Sequence, residues 1–301
     1  MKRTTLLATL AALLAGITAA SGANQTISVN FQGRSSDTSN PATPPLAPTD
    51  VAGVVAVSNW NNVDDQYGGN GETLDGPNNG TSVALNDSTG AATPVTVTFT
   101  ANDSWYNDVN FDTITTPNAK MMNGIIKRQG VGTATEFTFN NLTDAQYDLY
   151  VYFNMNGDGV RLNLSDNHYV QNFYVVETHE FTDTSTFIEC KNTNPNGPYD
   201  VGNYVHFKNL ATYGGSSLTV LATYISGADG NGIAGMQLIN VGPPVAPPPP
   251  PAPPPIILTQ PVSGRFIVGD TPSFSILPYG SQPAVQWFKN GTSIPDATND
   301  T

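Results

Sequence analysis

The sequence predicts an all-β protein built around an antiparallel β-sandwich, and three observations predict it. Between residues 24 and 242 no segment has a convincing helical period. The same stretch instead holds many short runs of β-branched and aromatic residues, bounded by Gly, Asn, Asp and Pro. The tract PPVAPPPPPAPPP, residues 243–255, then interrupts the chain. Proline fixes φ and lacks a donor N–H, so this tract is an extended polyproline spacer, about 40 Å long at most, and not part of a sheet.

Taken in order, residues 1–23 read as a secretory signal peptide: Lys2 and Arg3, an apolar run from Leu6 to Ile17, then small residues to Ala23. The apolar run is short of the roughly 20 residues of a membrane span. Residues 24–242 form the sandwich domain. Its expected strands are Thr26–Phe31, Val95–Thr100, Thr135–Asn140, Tyr147–Phe153, Val160–Leu164, Tyr169–Val176, Tyr204–Phe207, Ser217–Ala222 and Ala234–Val241. Most alternate, as a half-buried strand does, while Tyr147–Phe153 is almost entirely β-forming and is expected to be buried on both faces. Asp50–Val57 (DVAGVVAV) fits a short helix or a buried strand equally well. Arg34–Pro48 reads as an irregular loop. Asn59–Asn86, with Asp64, Asp65, Glu72 and Asp75 among many Gly and Asn, is a long polar loop of the kind that carries binding functions.

The formal net charge is −13, and loss of Lys2 and Arg3 with the signal would make it more negative. That balance argues against nucleic acid and anionic membranes as partners, and no segment besides the signal is apolar enough to insert in a membrane. Cys190 is the only cysteine, so stability must come from a packed core and not from an internal disulfide. His168, His179 and His206 show no metal-ligand spacing.

Two resemblances refine the class. The ISVNFQG start, the DVAGVVAVSNWNN segment, the YDLYVYFN strand and the NGIAGMQLIN end resemble an uncharacterised domain type of secreted bacterial proteins. The opening and closing strands also resemble malectin-like and galactose-binding-like jelly rolls. That likeness implies a jelly-roll-like sandwich and a sugar ligand, and assigns no residue. After the proline tract, Gln260-Pro261, Gly269, Trp287 and Lys289-Asn290-Gly291 resemble the first half of a bacterial immunoglobulin-like module of the disulfide-free type, with Ile276 where other members carry cysteine. This implies that residues 256–301 are the N-terminal half of an immunoglobulin-like domain, with Trp287 in its core and Asn290-Gly291 as a hairpin turn. A full module needs about 100 residues, so the half-sandwich is expected to expose core residues and to be incomplete.

No catalytic signature is present: there is no G-x-S-x-G, no H-E-x-x-H and no phosphate loop opening a helix. Chance carboxylate pairs are expected among 24 acidic residues, so Asp64-Asp65 alone does not define a glycosidase. Sugar ligands use aromatic surfaces beside amides and carboxylates. Trp60 beside Asn59, Asn61 and Asn62 fits that pattern, as do Trp105 and Tyr106 near Asp103, Tyr67 and Tyr199 in Gly-rich loops, and Asp64 and Asp65. Trp60 and Trp105 could each equally plug the core. Asn154, Asn156 and Asp158, followed by Gly159, match the opening of a calcium loop, though Ser165 stands where an EF-hand has Glu. A plain hairpin turn explains the same residues, and so it does for Asp229–Gly232. Calcium is the one cofactor the sequence suggests.

The expected protein is therefore exported, secreted or held at the cell surface, modular and non-catalytic, with a glycan or cell-surface polymer as partner. The alternatives are a structural adhesion spacer with immunoglobulin-like modules, and a polysaccharide-acting enzyme.

Overall fold

The computed structural model describes residues 25–33, 43–64, 81–101, 103–106, 114–128, 130–154, 161–166, 171–177, 181–212, 217–227, 231–243, 256–279 and 285–299. The chain forms two compact units, Met1–Val245 and Ala246–Thr301. Residues 1–24, including the segment expected to be a signal peptide, and nearly all of the proline tract lie outside the described residues.

Among the described residues the first unit is all-β apart from one short helix. Its strands are β1 (Thr26–Gln32), β2 (Asn61–Asp64), β3 (Val83–Asn86), β4 (Ala92–Thr100), β5 (Asp103–Tyr106), β6 (Gly124–Arg128) and β7 (Ala134–Asn140). They continue with β8 (Gln146–Phe153), β9 (Arg161–Asp166), β10 (Asn172–Glu177), β11 (Asp200–Gly202), β12 (Tyr204–Ala211), β13 (Leu218–Ser226) and β14 (Asn231–Gly242). Two seven-stranded sheets result. The first runs β12-β8-β14-β1-β2, with β6 pairing β14 and β5 pairing β6; the second runs β11-β10-β9-β13-β7-β4-β3.

Within these sheets lies a jelly roll. The antiparallel run β1-β14-β8-β12 faces the antiparallel run β7-β13-β9-β10, and the chain crosses between sheets at β7→β8→β9 and at β12→β13→β14. The strands inserted between β1 and β7 widen this frame. β2 lies parallel to β1, β3 and β4 extend the second sheet, and β6 shares an edge of β14 with β1.

Period-two alternation supplies the core. Val29 and Phe31 of β1, Leu149 and Val151 of β8 and Phe207 of β12 are buried, as are Val97, Phe99, Phe137, Phe139 and Val220 from the opposite sheet. Phe31 joins the two layers, with its ring 5.7 Å from Phe99 and 5.1 Å from Phe137. At the other end Phe173 meets Phe207 edge-on at 5.0 Å.

The outer face of the first sheet is partly covered as well, which alternation did not foretell. All seven residues of β1 are buried, including Thr26, Ser28 and Asn30. Residues 51–60 lie against this face, and their conformation is neither of the two expected. A single bridge between Ala52 and Val57 closes a run of turns, leaving Val51 and Val54 exposed. Beside them sits α1 (Pro117–Asn123), with Thr116 as N-cap accepting from the Ala119 N–H at 3.3 Å and Pro117 in the first turn. Seven residues span less than two full turns, too few to show a helical period in the sequence.

β8 also departs from expectation. Asp148 and Tyr150 on its outer side are only half-buried, while Tyr152 is fully enclosed. Asn59–Asn86 is not wholly a loop: β2 and β3 take up its two ends, and residues 65–80 lie outside the described residues.

In the second unit, β15 (Ile256–Thr259) pairs with β16 (Leu277–Tyr279), and β17 (Phe288–Lys289) with β18 (Thr292–Ser293). The two-residue turn Asn290-Gly291 has φ of 53° and 81°, the left-handed pair that matches strand twist. Phe274 and Ile276 lie before β16 and not in a strand. Phe266, Ile267, Val268, Phe274, Leu277 and Phe288 are exposed, and Trp287 is half-buried, with its indole N–H on the Asn299 carbonyl at 2.8 Å.

Candidate functional site

On the open end of the first sheet's outer face, antiparallel pairing sets His206 opposite Tyr150 and Tyr204 opposite Tyr152. The rings of Tyr150 and His206 stack at 4.0 Å and 16°, and the Tyr204 ring lies 6.1 Å from each of Tyr150 and Tyr152. Phe187 closes the inner end, 5.3 Å from Tyr152. These rings form an aromatic ridge over β8 and β12.

Polar groups flank the ridge on both sides. His206 Nε2 lies 2.9 Å from Asp148 Oδ2, and since a carboxylate only accepts, Nε2 carries the proton. The other Asp148 oxygen accepts the Asn209 N–H at 3.0 Å. This second contact has a local cause: a register shift between Phe207 and Leu210 bulges β12, and Asn209 there adopts φ 56°, a conformation Asn tolerates. On the far side Glu189 forms a backbone bridge with Tyr204, and its carboxylate pairs with Lys191 Nζ at 3.0 Å.

The electrostatics follow from these contacts. Burial acts to raise the Asp148 pKa, but the hydrogen bonds from His206 and the Asn209 N–H, with the charges of His206 and Lys208, hold it below the usual carboxylate range. The Tyr150 hydroxyl is pushed up by burial and by the nearby Asp148 and Glu189 carboxylates. Tyr204 is pushed up likewise, by burial first and then by Glu189, Tyr150 and Cys190. Both phenols therefore remain protonated donors beside carboxylate acceptors. Such an arrangement holds and orients hydroxyl groups against aromatic carbon.

The residues singled out in the sequence fall elsewhere. Trp60 is a core plug: it is buried, its Nε1–H donates to the Val57 carbonyl at 3.0 Å, and its ring lies 6.3 Å from Tyr152. Its indole face is thus inside the protein and not on a binding surface. Tyr106 is buried too. Trp105 is half-buried, stacked on Tyr106 at 5.7 Å, with Lys127 Nζ 5.4 Å from its ring centre. Lys127 pairs with Asp103 at 3.3 Å, both side chains being mostly buried.

Tyr199 is half-buried, its hydroxyl on the Pro195 carbonyl at 2.8 Å and its ring 5.6 Å from Tyr174. Asp64 ends β2. Asp65 and Tyr67 lie outside the described residues. Of the calcium-loop candidates, Asn156 and Asp158 also lie outside them, and Asn154 is buried with its Nδ2 donating to the Met122 carbonyl at 2.7 Å. Among the described residues no group of three His, Cys, Asp or Glu is placed to hold a metal ion. Cys190 is buried, its thiol 3.5 Å from the Asp200 carbonyl.

Sequence reasoning missed Asp148, Tyr150, Tyr204 and His206. Their signal was present as alternation in YDLYVYF and YVHF, but it becomes a site only when the two strands pair in one register.

No protein-family model matches the chain, nor does any curated protein. Among solved structures, a family GH115 4-O-methyl-α-glucuronidase with specificity for decorated arabinogalactans is similar at a TM-score of 0.23 and 18% identity, over 40% of this chain and 14% of that one. A likeness of that size carries no weight for fold or function.

Proposed function

We propose that this is a secreted, modular, non-catalytic protein that binds a carbohydrate or cell-surface polymer. The observation that carries this reading is the ridge of Tyr150, His206 and Tyr204 flanked by Asp148 and Glu189 on the outer face of a jelly roll. Sugars present C–H faces and hydroxyl edges, and this surface offers aromatic carbon beside phenol donors and carboxylate acceptors. A scaffold of paired strands holds these groups rigidly, which limits the ordering cost of binding.

The test is a glycan array probed with the mature chain, with and without calcium, followed by the Tyr150→Ala and Tyr204→Ala variants. Binding that both variants abolish, with thermal unfolding still cooperative, supports the reading. Failure to bind any glycan in either condition overturns it, and leaves the adhesion spacer as the better description.

A further inference from the structure

The charges around the aromatic ridge come in compensated pairs. Three segments bring titratable groups to it: Asp148 and Tyr150 from β8, Tyr204, His206 and Lys208 from β12, and Glu189 and Lys191 from the bridged segment. Glu189 is held by Lys191 at 3.0 Å. Asp148 is held by His206 at 2.9 Å and by the Asn209 N–H at 3.0 Å, with the Lys208 charge near enough to be felt at its carboxyl. Two carboxylates thus face two ammonium groups, and the imidazole shares its proton with one of the carboxylates.

A surface built in this way projects little net field, so it has nothing to offer a polyelectrolyte beyond what it offers a neutral chain. A polyanion would in addition meet the repulsion of a chain with formal net charge −13. A polycation would have to break the internal pairs, exposing Lys191 to like charge.

We propose that the ridge takes an uncharged polysaccharide, with hydroxyls on the phenols and carboxylates and ring C–H groups on Tyr150 and Tyr204. This rests on the carbohydrate reading above and narrows it, since many cell-surface polymers are anionic. Asp148, His206 and Glu189 are largely shielded and Lys191, though exposed, is already paired with Glu189, so binding should depend only weakly on ionic strength.

The experiment measures affinity of the mature chain for three immobilised probes: a panel of neutral glucan, mannan, xylan and galactan, polygalacturonate, and chitosan at pH 6. Each is run at about 50 and about 500 mM NaCl, salt levels whose screening lengths differ roughly threefold. The expected result is retention on at least one neutral polymer, changing less than about twofold with salt, and lost in Tyr150→Ala. Tyr150→Phe, which keeps the ring and the stack on His206, should weaken binding by about tenfold through loss of one hydroxyl contact.

Binding confined to polygalacturonate or chitosan, falling steeply with salt, overturns this inference and leaves the carbohydrate reading standing. Neutral-polymer binding that survives Tyr150→Ala in a folded protein overturns the assignment to the ridge. Binding to none of the probes overturns both.

Discussion

The hydroxyl of Tyr152 and the side-chain amide of Gln237 meet in a buried junction that ties the 51–57 loop to the first sheet. Tyr152 donates to Gln237 Oε1 and accepts the Val54 N–H at 2.8 Å. Gln237 in turn donates through Nε2 to the Val55 carbonyl at 2.8 Å and to Ser28 Oγ at 3.2 Å, and Oε1 also accepts the Val55 N–H at 3.3 Å. Two side chains from neighbouring strands thus satisfy the backbone of a loop that makes no regular strand of its own. Burial drives the Tyr152 pKa far above its ordinary value, so the hydroxyl remains a donor at any pH the fold survives.

Tyr152→Phe keeps the ring and removes that hydroxyl, leaving the buried Gln237 Oε1 and the part-buried Val54 N–H without that partner. The expected cost is about 1–3 kcal/mol. It should appear as a lower urea midpoint with an unchanged slope. Gln237→Leu, which breaks contacts to three residues at once, should cost more than Tyr152→Phe. The opposite order would mean that the amide is dispensable to the loop.

Gly33 is where β1 passes β5 and β6 too closely for any side chain. A Cβ there would sit 1.5 Å from the Trp105 carbonyl oxygen and 2.9 Å from the Ile125 nitrogen, both backbone atoms that cannot swing aside. Gly33→Ala should therefore be among the most damaging single changes, costing more than about 4 kcal/mol or preventing soluble expression. Gly132→Ala is the contrast. Nothing lies within 4 Å of its Cβ position, but its φ is +82°, so only the backbone penalty applies, about 1 kcal/mol. Comparing the two by thermal unfolding separates a steric requirement from a conformational one.

The fold class was legible because alternation marks core-facing residues whatever their partners are. Each of the nine expected runs overlaps a strand in the same part of the chain. In the first unit the strands that went unread, β2, β3, β5, β6 and β11, are three to five residues long, and most lie inside polar or Gly-rich stretches, where composition outweighs period. The site was less legible. Trp60 among asparagines looks like a sugar-binding cluster, yet those amides serve the fold: Asn61 caps the Ser28 and Asn86 carbonyls, and Asn62 brackets Leu46 through both its amide groups. Conversely, His206 looked isolated because its partner Asp148 lies 58 residues earlier, and only the β8–β12 register joins them.

Acid should loosen the contact between the 181–187 segment and the start of α1. The Asp183 carboxylate accepts the Thr115 hydroxyl, the Thr116 and Thr115 N–H groups and the Thr116 hydroxyl, and its pKa is held down to about 2. A folded pKa below the unfolded value of about 3.9 means that this contribution is present in full above pH 4 and is lost as pH falls through about 2. Asp87 and Asp148 are also held low and act in the same direction, so total acid sensitivity does not isolate Asp183. The difference between wild type and Asp183→Asn does: it should shrink steadily from pH 4 to pH 2. A constant difference over that range would show that the carboxylate charge contributes nothing at this contact.

Trp60 and Trp105 provide a final separation of core from surface. Trp60 is 5% exposed beneath the loop and contacts the ring of Tyr152, so Trp60→Ala opens a cavity in the covered face and should cost about 3–5 kcal/mol. Trp105 keeps one side partly open and shares its packing with Tyr106 and Lys127. Trp105→Ala should cost less than half as much, through lost ring stacking and one cation–π contact of about 0.5–2 kcal/mol. In the Trp60→Phe protein the remaining fluorescence should be more accessible to acrylamide, because the shielded indole is gone. In Trp105→Phe it should be less so. If the two variants quench alike and destabilise alike, Trp60 is not enclosed by the 51–57 loop, and the closed face of the first sheet, against which the open ridge is defined, disappears with it.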